Sequence, residues 1–110
     1  MPLYESTKAK ERLGLQSSDT SFDTIITNLG TQADSEIKQK IEVINPDFDI
    51  NDEENPQIVK DASTDRLVAY LYLVKMKYDS YKEFLAKSDN MINLYLGEVK
   101  NEKTLYGETY

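Results

Sequence analysis

Leu67-Val68-Ala69-Tyr70-Leu71-Tyr72-Leu73-Val74 lies within forty residues, Gln57 to Leu96, that contain neither glycine nor proline. Eight apolar or amphipathic residues in succession cover every side of a helix instead of one stripe, and such a helix must be buried all round. A chain of 110 residues is one domain, with little protein available to wrap it. The run therefore predicts burial by the chain's own helices or by neighbouring copies, and it points to an assembly subunit.

Composition narrows the chemistry. The chain has no cysteine, which excludes disulfides and thiolate metal sites. It has no histidine, which removes the commonest general base, the commonest zinc ligand and the ordinary pH switch. Catalysis would have to run on carboxylates, lysines or tyrosines alone, so the chain is read as a non-enzyme without cofactor, catalytic or metal residues. Thirteen basic residues against twenty acidic ones give a net charge of −7, a surface that repels phosphate and does not wrap nucleic acid. Met1-Pro2-Leu3-Tyr4-Glu5 lacks a basic-then-apolar signal pattern. No apolar run approaches the ~20 residues that span a bilayer, so the expectation is a cytoplasmic protein, or one packed into a particle assembled there, with no membrane partner.

Periodicity predicts an all-α fold, a small bundle of three to four helices with one long central helix and an extended C-terminal tail. Ser6 or Thr7 caps a first helix through Leu13, with Leu13-Gly14-Leu15 as its stop. Thr20 and Asp23 are spaced like a capping box at the head of a second helix. Its apolar positions, Phe22, Ile25, Ile26, Leu29, Ala33, Ile37, Ile41 and Ile44, hold one face for roughly six turns. Gly30 interrupts that helix, which predicts a kink or a close approach. The pairs Glu36–Lys40 and Asp34–Lys38 are assigned to its wet side. Asn45-Pro46 ends it, and Asp47 to Glu54 form an acidic loop anchored by Phe48 and Ile50. Asn55-Pro56 reads as N-cap and first helical position of the central helix. Unbroken to Lys87, that helix would measure about 45 Å at 1.5 Å per residue, so it either breaks near Asp79-Ser80 or projects from the body. Ser88 caps a last helix through Val99. The domain is drawn as residues 1–100, and residues 101–110 as either a frayed tail or an arm that orders against a partner.

Three motifs are weighed and set aside. Asp47, Asp49 and Asn51 occupy the first positions of a calcium loop, but Asp52 stands where that loop needs glycine and Ile58 where it needs glutamate. Asp61 and Asp65 share a helix face without a third ligand, next to Lys60 and Arg66 as surface ion-pair partners. Tyr70, Tyr78 and Tyr81 form an aromatic ladder whose lysines are diluted by Asp79 and Glu83. That favours packing against a subunit over stacking on bases.

The order of features resembles the head–tail connector (adaptor, or head-completion) proteins of tailed phages and related viruses. The shared features are a short helix ending in Leu13-Gly14-Leu15, a Ser17-Ser18-Asp19 turn, a helix with Ile25, Ile26, Leu29 and Ala33, a proline-bearing loop, and a helix opening at Asn55-Pro56 with a Leu/Ala/Tyr-rich centre. The likeness covers Thr7 to Leu96. It implies a structural virion protein in the head–tail neck, assembled in the host cytoplasm. Its subunits form a ring, commonly of twelve copies, between the portal protein and a tail or stopper protein, and DNA passes through without specific binding. Under this resemblance Tyr70, Leu71, Val74 and Tyr78 are expected to form the subunit interface, and Leu105, Tyr106 and Tyr110 a partner-binding arm. The alternative from another class is a monomeric acidic helical module that binds or inhibits a DNA-binding protein by charge mimicry.

Overall fold

The computed structural model describes the chain from residue 2 to residue 105, with side-chain surroundings through Glu98. Among the described residues there are four helices and no strand: α1 (Ser6–Arg12), α2 (Asp23–Glu42), α3 (Gln57–Val74) and α4 (Tyr78–Leu105). The body measures 50 × 28 × 18 Å. It is an all-α bundle.

α3 is the axis of the fold and packs against each of the other three helices. Residues 62–69 are all buried, eight in succession, so the chain itself wraps α3. This segment is displaced five residues from the apolar run seen in the sequence. It includes Ser63, Thr64, Asp65 and Arg66, whereas Leu73 and Val74 emerge from the bundle. One apolar cluster surrounds the N-terminal half of α3 and joins Leu3, Ile37, Ile41, Phe48, Val59, Ala62 and Ile92. A second joins Ala9, Ile26, Ala33, Leu67, Val68 and Leu71 towards its other end. The four polar residues lie between these clusters along the helix.

The helix ends follow local rules only in part. α1 closes in a Schellman turn: Leu15 N–H donates to Lys10 O (2.8 Å), Gly14 N–H to Glu11 O (3.0 Å), and Gly14 takes φ +75°. α3 closes with the same pair of bonds, Lys77 N–H to Tyr72 O and Met76 N–H to Leu73 O, both 2.9 Å, but the left-handed position is held by Met76 at φ +60°. A side chain there costs about 1–2 kcal/mol relative to the right-handed region. The Thr20–Asp23 capping box does not form. Asp19 Oδ1 instead accepts from Ser21 N–H (2.9 Å), and α2 opens without a side-chain cap. α3 begins one residue later than expected, with Pro56 as its N-cap residue. Asn55 closes the acidic loop, its Nδ2 donating to Asp49 O at 2.9 Å.

The expected break at Asp79-Ser80 lies four residues earlier, at Lys75–Lys77, where the Schellman turn reverses the chain. α4 then runs through Ser88 and Gly97 without interruption. Ser88 is not a cap; it is fully buried, and its hydroxyl accepts from Arg66 Nη1 at 3.3 Å. The helix continues past residue 101 to Leu105, while Tyr106 and Tyr110 of the expected arm lie outside the described residues. With 28 residues against 18, α4 outruns α3 by about 15 Å.

Candidate interaction surfaces

The polar residues buried around α3 form two structural networks. Asp34, on α2, points inward instead of sharing the wet side with Lys38. Its Oδ2 accepts from Leu3 N–H (3.0 Å), and its Oδ1 accepts from Tyr4 N–H (3.1 Å) and Ser63 Oγ (2.6 Å). Burial raises the Asp34 carboxyl above its ordinary value, against the pull of those three donors. The bonds fasten residues 2–5 as a strap between α2 and α3. Leu3 fills the first cluster, and the Tyr4 ring lies where a Cβ on Gly30 would come within 2.5 Å of it. Close approach, rather than a kink, is what Gly30 provides.

Arg66 is the centre of the second network and is not a surface residue. Its Nε donates to Glu36 Oε1 (2.8 Å), and its Nη1 donates to Asp89 Oδ1 (2.8 Å). Tyr70 donates its hydroxyl to the same Glu36 oxygen. Burial by itself would lower the Arg66 value, but Glu36 and Asp89 outweigh it and hold the guanidinium charged. Burial, and then the bond to Glu36, push the Tyr70 hydroxyl up to about 12. At Glu36 the desolvation is overcome by Tyr70, Arg66 and Gln32, which keep the carboxylate below its ordinary value. These groups tie α2, α3 and α4 together.

Asp61 and Asp65 go to different partners, Lys8 Nζ at 3.5 Å from Asp61 and Arg12 Nε at 3.0 Å from Asp65. The Arg12–Asp65 contact is an ion pair without hydrogen-bond alignment, and Arg12 Nη1 is buried beside it without a bond. Burial outweighs the attraction of Arg12 and leaves the Asp65 carboxyl above its ordinary value. Among the described residues no group of three or more acidic side chains converges as a metal site, and no helix is long and apolar enough to cross a membrane.

The four expected interface residues separate. Leu71 is 3% exposed and belongs to the second cluster, so it holds the monomer together. Tyr70 is half-buried, bonded to Glu36, its ring 6.4 Å from that of Tyr81. Val74 (57% exposed) and Tyr78 (53%) stand in the open, and Leu73 (38%) and Met76 (71%) stand with them. Six large hydrophobic residues are exposed among the described residues, and four of them fall between Leu73 and Tyr78. Scattered exposed apolar residues are ordinary, but a contiguous group marks a contact surface. Three lysines, Lys75, Lys77 and Lys82, accompany this group against two acids, Asp79 and Glu83. Lys75 Nζ lies 5.2 Å from the Phe22 ring centroid. Leu73 and Met76 were not singled out by the sequence. Nothing in the sequence marks the turn that exposes them, because it contains neither glycine nor proline.

A cleft of about 680 Å³ opens at the other end of α3, between the N-terminal strap, the start of α1 and the acidic loop. Pro2, Leu3, Tyr4 and Ile50 supply apolar lining, and Glu5, Glu11, Asp52 and Glu53 outnumber Lys8 and Lys60. The loop beside it is braced by turns in which Asn45, Asp47, Asp49, Asn51, Asp52 and Glu54 pair side-chain oxygen to backbone N–H two residues on. With no bases between Asp47 and Glu54, its five acidic residues make this the negative pole.

Comparison with protein-family models, with curated proteins and with solved structures gives no match.

Proposed function

We propose that the chain is a structural assembly subunit, a head–tail connector (adaptor) that takes its place in a ring between portal and tail proteins and lets the genome pass. The observation that carries this reading is the lysine-flanked apolar tip, Leu73 to Tyr78, left uncovered after the chain has wrapped the rest of α3. A helix hairpin whose core is closed by its own chain has no intramolecular use for four exposed hydrophobic residues at its apex. They fit a contact surface on a neighbour. The net acidic surface supports passage of DNA without adhesion.

The braced acidic loop is the observation behind a second reading, charge mimicry by a monomer that occupies a DNA-binding protein. Cryo-electron microscopy of particles purified from the native source, with the chain traced by mass spectrometry, tests the first. Symmetric copies around a channel at a capsid vertex are expected. Absence of the chain from every particle refutes the connector reading and leaves the second.

A further inference from the structure

The two ends of α3 differ in charge and in shape. At its C-terminal end Met76 is exposed in the hairpin turn between Val74 and Tyr78, in a stretch where Lys75, Lys77 and Lys82 outnumber Asp79 and Glu83. At its N-terminal end the cleft has an apolar lining edged by Glu5, Glu11, Asp52 and Glu53. The 18 residues of α3 set these features about 27 Å apart, so one molecule cannot bring its own tip into its own cleft.

We propose that the tip of one copy seats in the acidic cleft of a second copy, head to tail. This rests on the assembly reading above and specifies which surfaces meet. Charge complementarity names the occupant: a tip where three lysines outnumber two acids faces a cleft edge in which four acids outnumber two lysines, one of them, Lys8, already paired with Glu5 (3.3 Å) and Asp61. The apolar residues at the centre of each surface match as well, Met76, Val74 and Tyr78 against Pro2, Tyr4 and Ile50. Met76 keeps a flexible apolar side chain at a backbone position where glycine is easier, so the apex retains its knob at a conformational cost. Because the two surfaces are different and lie at opposite ends, the contact is heterologous. Repetition of such a contact closes into a ring or continues as a filament.

The chain's lack of cysteine makes the test clean. Thr7 lines the cleft and is exposed, so a Thr7→Cys/Met76→Cys double variant should give a ladder of disulfide-linked multimers on mild oxidation. Each single variant should stop at trace dimer. Raising NaCl from about 0.1 M to about 1 M, which shortens the Debye length from about 10 Å to about 3 Å, should cut the ladder roughly fivefold. In the same cysteine background, Lys75→Glu/Lys77→Glu and Asp52→Lys/Glu53→Lys should each lose the ladder alone and regain it when mixed, since each then presents a tip that fits the other's cleft. All these positions are exposed, and circular dichroism checks that the variants remain folded. A Met76→Cys single variant that dimerises as efficiently as the double variant forms overturns the pairing in favour of tip-to-tip contact. Failure of the mixture to recover, or no ladder at all, overturns it outright. A chain found in particles that gives no ladder removes this pairing and spares the connector reading. A ladder from a chain absent from every particle does the reverse.

Discussion

Asp34→Asn should loosen the N-terminal strap and destabilise the protein by about 2–3 kcal/mol. Asparagine can keep its oxygen towards Tyr4 N–H and Ser63 Oγ, but its amide group then faces Leu3 N–H, donor against donor. One bond to a charged acceptor is lost, about 1.5–3 kcal/mol, and a buried N–H is left without a partner, about 1–3 kcal/mol. Removing a buried negative charge returns part of this. The ceiling is set by release of the strap, which re-exposes Leu3, now 1% exposed and worth about 2 kcal/mol of apolar burial, together with the Tyr4 ring over Gly30. For a domain of this size the loss corresponds to a fall in Tm of roughly 8–12 °C. Chemical denaturation measures the free energy, and hydrogen exchange locates it, because the Leu3 and Tyr4 amides should exchange faster while those in the middle of α3 change only with global stability. Ser63→Ala, which removes a neutral donor and leaves both backbone bonds, should cost about 1 kcal/mol and leave the two amides protected. An Asp34→Asn protein within about 0.5 kcal/mol of the parent, with unchanged exchange at Leu3 and Tyr4, would refute this account of the strap.

Leu71→Ala should destabilise the monomer by about 2–4 kcal/mol through a cavity in the second cluster, whereas Val74→Asp should stay within about 1 kcal/mol in denaturation and act on self-association instead. Met76→Gly should stabilise the monomer by up to about 1 kcal/mol by relieving the left-handed backbone, and should weaken head-to-tail cross-linking of variants with cysteine placed at Lys77. Tyr70 contributes an alkaline dependence. Its hydroxyl is held protonated in the folded state, so that stability is fully present below its ordinary value of 10.0 and is lost as pH rises towards about 12. The gap is worth at most about 2.7 kcal/mol, and solvent screening at this half-open site reduces it to about 1 kcal/mol. Tyr70→Phe should therefore flatten the denaturation midpoint across that range relative to the parent, and equal slopes would show that the Tyr70 hydroxyl is not held protonated in the folded state.

Apolar spacing made the helices legible. Steps of three and four from Phe22 to Ile41 mark the buried stripe of α2, Gly14 marks the end of α1, and Asn55-Pro56 lies within one residue of the start of α3. The buried charges were misassigned because residue type was weighted above register. Asp34 lies four residues after Gly30 and three before Ile37, and Arg66 lies four after Ala62 and three before Ala69, so both fall on stripes that the bundle buries. Spacing alone would have placed them inside. What it lacked was the partner that makes a buried charge tolerable, a strap backbone thirty residues away for Asp34, and Glu36 and Asp89 on two other helices for Arg66.

The sequence by itself determined an all-α chain built round one helix that had to be covered on every side, with an acidic pole and no histidine or cysteine chemistry. These follow from local periodicity and composition, which do not depend on how distant segments meet. Only the tertiary structure decided which part of that helix the chain covers. Eight residues displaced towards its start disappear under α1, α2, α4 and the strap, Leu71 becomes core, and Leu73, Val74, Met76 and Tyr78 are left at the turn. The reason is geometric: the turn at Lys75–Lys77 lies at the edge of the reach of the packed helices, and burial there depends on which segments arrive, which a helical repeat does not encode.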